Sequence, residues 1–164
     1  MKIIVAAAFY FLFWGVCVLG TGTDKKNLIG LRSYPDAVQN RVRSDPKLGK
    51  NVPKARSTAA IWLSNLFLFT ALFSILGLAL KGVLGLNDYG SAFWYFLAFG
   101  EGLGLFDLLV IDLLWWRSTK RIRFSFLPEK ECYQDPKKHI ESFLHGIPLF
   151  AAIAALTALL VTVL

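Results

Sequence analysis

Four apolar runs, at roughly residues 3–20, 58–80, 91–116 and 147–164, dominate this chain of 164 residues. Each is close to the ~20 residues that carry a helix across ~30 Å of hydrocarbon. In lipid the backbone must satisfy its own hydrogen bonds, and a helix does so within one segment. The runs predict an all-α, polytopic integral membrane protein with four transmembrane helices, folded as a single membrane domain over residues 1–164. The composition agrees: 55 % hydrophobic and 18 % charged, more apolar and less charged than a soluble domain. The polar remainder is expected to be too short to build a second core.

Net charge is +7. The basic residues gather in two loops, which favours a topological reading over nucleic-acid binding. Loop 21–57 carries nine basic and three acidic residues; loop 117–146 carries seven and four. The connection 81–90 has only Lys81 and Asp88. Lys and Arg are retained on the cytoplasmic side. Both basic loops are therefore expected there, with the N- and C-termini outside (N-out/C-out) and the plasma (cytoplasmic) membrane as location. The start MKIIVAAAFYFLFWGVCVLGTGT resembles a secretory signal. Its apolar run is long and aromatic, and nine basic residues follow it, so a retained helix is expected. Cys17 and Cys132 fall in different environments under this topology, which argues against a disulfide. No CxxC is present.

Within loop 21–57, Ser33 and Pro35 can open a short helix through about Arg43. Val38 and Val42 share a face at i,i+4. This suggests a helix lying on the cytoplasmic membrane surface, with Leu28 and Leu31 leaning into it. After the third run, Arg121, Arg123 and Ser125 alternate with Ile122, Phe124 and Phe126, an extended amphipathic segment expected to lie flat on the membrane. Arg41, Arg43, Arg121 and Arg123 are the candidates for contact with anionic lipid or a partner; the competing reading is a solvated basic surface that fixes topology. Asn65 in the second run is costly to leave facing lipid and is expected to face another helix. The fourth run, entered through Pro148, pairs Ala151 with Ala155 and Ala154 with Ala158, spacings that permit close helix contact.

Three acidic residues interrupt the third run: Glu101, Asp107 and Asp112. An ionisable side chain at the bilayer centre costs about 2.5–3.5 kcal/mol on insertion scales, so each calls for a partner, a water-filled cavity or protonation. With Trp115 and Trp116 at the cytoplasmic interface, Asp112 lies roughly 5 Å inside it, Asp107 roughly 12 Å and Glu101 roughly 21 Å. At 100° per residue, Glu101 and Asp112 fall within about 20° of each other and Asp107 about 120° away. Asp112 is expected to pair with Arg117 or another base of the third loop. Glu101 is flanked by glycines that admit a helix, a headgroup or water; the alternative is a protonated Glu bonded to Asn65, Ser64, Thr70 or a carbonyl. His139 and His145 are the only histidines. One could join Asp112 or Asp107 in a metal site or proton relay, but spacing does not assign it. There is no GxSxG, HExxH, Walker A or Rossmann fingerprint. No cofactor or metal is expected.

The stretch from Leu105 to about Pro136, in particular FDLLVIDLLWW with its basic turn and Pro128-Glu129, resembles a set of small four-helix bacterial membrane proteins of no assigned function. YPDAVQ is similar to their first loop. The chain lacks their Gly-Thr-Glu after the proline and has Glu129 alone. The resemblance implies the four-helix topology and weight on Asp107 and Asp112, and implies no reaction.

Three functions compete. A binding or accessory component of a membrane complex leads, with membrane lipids and a homo-oligomer or larger complex as partners and no nucleic acid. An oligomeric proton- or cation-coupled transporter would use Glu101 and Asp107. A lipid-modifying membrane enzyme would use Asp112, Asp107 and a histidine. Lipid chemistry predicts carboxylates and His converging on a lipid-sized cleft, transport predicts acids along a hydrated path, and an accessory role predicts neither.

Overall fold

The computed structural model describes all 164 residues and is all-helical, without β-strands. Its α-helices are α1 (Lys2–Leu19), α2 (Asp24–Ile29), α3 (Asp36–Ser44), α4 (Thr58–Leu84), α5 (Tyr89–Phe106) and α6 (Lys137–Val163). A π-helix, Asp107–Trp116, follows α5 without a break, Phe106 keeping helical φ −63° and ψ −43°. Three helical stretches are long and apolar enough to cross a membrane: Lys2–Leu19, Thr58–Leu84 and Lys130–Val163.

Local chemistry sets the ends. Ser57 caps α4, its hydroxyl accepting from the Ala60 amide at 3.2 Å, as its side chain suggests. Gly85 closes α4 at φ +67°, in the left-handed region that costs an L side chain energy. The start of α6 is a correction. It begins at Lys137, not at Pro148, because the Asp135 carboxylate accepts from the Lys137 amide at 3.0 Å. The helix then runs through Pro148, which removes a single ladder bond.

The chain divides into two compact units. The first comprises Met1–Phe9, Arg56–Leu105 and Leu144–Leu164. Its core centres on Phe73, edge-on to Phe99 at 4.9 Å between ring centroids and stacked with Phe96 at 5.9 Å. Small residues let the helices close. A Cβ on Gly77 would lie 2.7 Å from both Phe96 and Val161, and one on Gly100 would lie 2.7 Å from Phe150. Ala154 and Ala158 are fully buried, as their spacing suggests.

The second unit comprises Tyr10–Ala55 and Phe106–Phe143, so it contains most of both basic segments. Leu28, Leu31, Tyr34, Val38 and Val42 from one segment share a core with Ile122, Phe124, Leu127 and Tyr133 from the other. Three expectations are corrected here. The polar remainder does build a core. The Val38–Val42 face and its Leu28 and Leu31 neighbours are buried in protein, not laid on a membrane. Ile122 and Phe124 alternate as read, but their apolar face turns into the same core. Amphipathicity marks which face is buried; it does not name what buries it.

Candidate functional site

The site belongs to the second unit, and the π-helix creates it. Its wider turn, closed by i→i+5 bonds, keeps residue i+5 on the same side of the helix as residue i, where an α-helix would turn it about 140° away. Asp107 and Asp112 are five apart, and both line one cavity of about 600 Å³. The α-helical angles assumed for the third run do not carry past Phe106, which is why the sequence separated these two carboxylates.

His139 completes the wall. Asp135 and Pro136 start α6 so that His139 falls in its first turn. Its Nδ1 lies 2.9 Å from Oδ2 of Asp112, with 4 % of the His side chain and 16 % of the Asp side chain exposed. Trp116 meets the imidazole edge-on at 4.7 Å between centroids, which fixes the ring plane. With Nδ1 on the carboxylate, a neutral imidazole presents a lone pair at Nε2. That atom is buried without a partner. Asp112 was expected to pair with Arg117 or another base of the third loop; its partner is His139, within residues 117–146, and not Arg117. Asp107 makes neither of the chain's two ion pairs, and it lies within electrostatic reach of both Asp112 and His139.

Further lining comes from the end of α1 and from α2. Arg121 donates from Nη2 to the carbonyls of Val18 at 3.2 Å and Thr21 at 3.1 Å, satisfying the carboxyl end of α1. Lys26 does the same to Leu19 at 2.8 Å. Buried Asn27 donates to the carbonyl of Arg121 at 3.1 Å. Lys138, also on the cavity, pairs with Asp36 at 3.0 Å. Phe13, Ile111 and Trp115 make the lining apolar, and Cys17 adds a free thiol.

The remaining expected residues lie elsewhere. Glu101 and Asn65 are half-buried in the first unit, on α5 and α4, and do not line this cavity. Arg123 donates to the Pro128 carbonyl at 3.2 Å, Arg41 points to Sγ of Cys132 at 3.9 Å, and Arg43 is exposed. Sequence reasoning named Asp112 or Asp107 as partners for one of the two histidines without choosing between His139 and His145, and missed Trp116, Asn27, Lys26 and Lys138 as walls. No three His, Cys, Asp or Glu side chains converge as a metal centre requires. Compared with known proteins, the chain matches no family model, no curated protein and no solved structure. Function is therefore read from the site geometry.

Proposed function

We propose that this chain is a binding component of a membrane, seating the polar end of an amphiphile in the cavity of its second unit. The observation that carries this is the meeting of Asp107, Asp112 and His139 on one cavity whose other walls are largely apolar. Such a mixture of a few polar groups on an apolar lining is what small-molecule sites share. The chain crosses the plasma membrane four times, the third crossing being α5 with its π-helix, with both termini outside and the two basic segments in the cytoplasm. Support comes from the shared core of the two basic segments. Segments that pack together lie on one side, so an even number of crossings separates them.

The test is retention of lipid. The chain purified in a mild neutral detergent is analysed by native mass spectrometry, beside Ile111→Trp, which fills the cavity. Wild type carries an amphiphile and the variant does not. A wild-type chain that binds no lipid in detergent or from vesicles sinks the reading.

A second reading, chemistry on the bound lipid, is favoured by one feature. Asp112 holds Nδ1 of His139 and leaves Nε2 as the basic atom, the arrangement of an oriented general base. It predicts that His139→Gln keeps lipid bound and abolishes turnover. Transport through Glu101 and Asp107 gains no comparable support, because Glu101 does not line the cavity that Asp107 does.

A further inference from the structure

We propose that the cavity is selective for an ammonium group, and that its ligand is a zwitterionic lipid whose primary amine rests against Asp107 and the free oxygen of Asp112. This rests on the amphiphile-binding reading above and names the ligand class.

The charge arrangement points to a cation. The π-helix sets two carboxylates on one wall. Asp112 commits only Oδ2, to His139. Asp107 joins no ion pair: the one lysine or arginine pair of the chain is Lys138–Asp36, and His139 faces Asp112. A half-buried carboxylate without a counter-charge is costly. An anionic headgroup in this corner would add repulsion. A bound ammonium removes the cost and supplies N–H donors to groups that can accept.

His139 is an independent sign of a missing donor. The side chain lines the cavity and is 4 % exposed, yet Nε2 has no hydrogen-bond partner. Buried polar atoms in native proteins are nearly always satisfied. With Nδ1 facing Asp112, an imidazole in its neutral form needs a donor at Nε2. An amine has donors to give and a phosphate oxygen does not.

Geometry separates an ammonium from a metal ion. The acidic groups do not converge closely enough for a metal. Charge-assisted N–H···O bonds reach about 2.8 Å and need no closed shell, so a more open set of acceptors suffices. The rest of the headgroup also has a place. Lys26 and Lys138 line the same cavity, each held by one partner and each with further N–H donors for a phosphate. Phe13, Ile111 and Trp115 offer apolar surface to the acyl chains.

Binding to the full chain in dodecyl maltoside is measured by calorimetry with three probes: dihexanoyl phosphatidylethanolamine, dihexanoyl phosphatidylglycerol and free phosphoethanolamine. The ethanolamine lipid should bind about tenfold or more tighter than the glycerol lipid, the scale of one charge-assisted contact. Asp107→Asn keeps the shape and should erase that difference by weakening the ethanolamine lipid, while the glycerol lipid, relieved of repulsion, binds no more weakly than to wild type. Thermal melts check that the variant is folded. A variant that fails to fold is replaced by a wild-type comparison with the N-acetylated ethanolamine lipid, which loses the ammonium charge for one added acetyl group; it should bind about tenfold more weakly. Free phosphoethanolamine binding as tightly as the lipid would identify a soluble ligand for the same ammonium site and overturn the lipid assignment. Equal affinity for the two lipids, or for the acetylated one, overturns ammonium selectivity and leaves amphiphile binding standing. Absence of binding by all probes overturns both.

Discussion

Tyr34 donates its hydroxyl to the carbonyl of Ile122 at 2.8 Å, a buried bond between residues 88 positions apart. It ties one basic segment to the other at the centre of their shared core. Tyr34→Phe should cost about 1–2 kcal/mol, because the carbonyl left behind is buried. Burial, with Tyr133 and Asp24 nearby, pushes the Tyr34 hydroxyl above its ordinary pKa. The folded form then holds its proton where the unfolded chain loses it. This stability is fully present below the ordinary value of about 10 and declines as pH rises beyond it. Melts between neutral and strongly alkaline pH should show the wild-type advantage over Tyr34→Phe shrinking. An advantage that stays constant would mean that the hydroxyl titrates normally.

Removing His139 strands Asp112. His139→Ala should lose about 3 kcal/mol, the low end for breaking a buried pair, since Asp112 keeps some exposure. Arg117→Ala should cost clearly less in the same denaturant titration. A larger loss from Arg117→Ala would restore the arginine as the partner of Asp112.

Two glycines with positive φ should respond differently to alanine. Gly22, at φ +106°, would set its Cβ 2.9 Å from Nη2 of Arg121, a nitrogen already bonded to the end of α1. Gly85, at φ +67°, has open space around it. Gly85→Ala carries only the left-handed penalty, about 1–2 kcal/mol. Gly22→Ala adds disturbed bonds of about 1 kcal/mol each. Equal melting temperatures for the two variants would show that Arg121 yields freely.

The π-helix makes a deletion informative. Removing exposed Leu109 turns the five-residue step from Asp107 to Asp112 into four, which an α-helix also places on one face. The deletion should therefore fold and keep the His139–Asp112 pair, with melting temperature unchanged or raised. Deleting Leu105, before the π-helix, should rotate both carboxylates off the wall and destabilise the chain. Comparable melts for the two deletions would contradict this register.

Orientation is testable by labelling. With Cys17 and Cys132 changed to Ser, Lys47→Cys and Lys130→Cys are single exposed thiols in the two basic segments. A membrane-impermeant maleimide added to intact cells should reach neither, and both should react after lysis. Labelling of one alone would break the shared core; labelling of both would invert the orientation.

The helices were legible because long apolar runs leave a chain in lipid few alternatives. Ser57 and the Ala154–Ala158 spacing could be read directly for the same reason: both act within one helix or one face. The site was legible only as a set of residue types. Asp107, Asp112 and His139 were all visible, but pairing Asp112 with His139 needs a fold that returns 27 positions later. Placing Asp107 beside Asp112 needs a π-helix, and no residue in DLLVIDLLWW announces one. The second core escaped notice for a related reason. Val38 and Ile122 are each half of an interface, and each alone looks like a face for lipid.

The core shared by two distant segments also bears on how the protein is made. Tyr34 leaves the ribosome 88 residues before Ile122. At roughly 5–20 residues per second, that interval is on the order of ten seconds. Throughout it Leu28, Leu31, Val38 and Val42 lack the second segment's half of their core, while α4 and α5 are being made. On the proposed orientation, the first basic segment would be open to cytosolic holdases and proteases until residue 133 has left the ribosome. A stall within α4 or α5 would expose it to both, so slow codons there should lower yield without altering the finished protein.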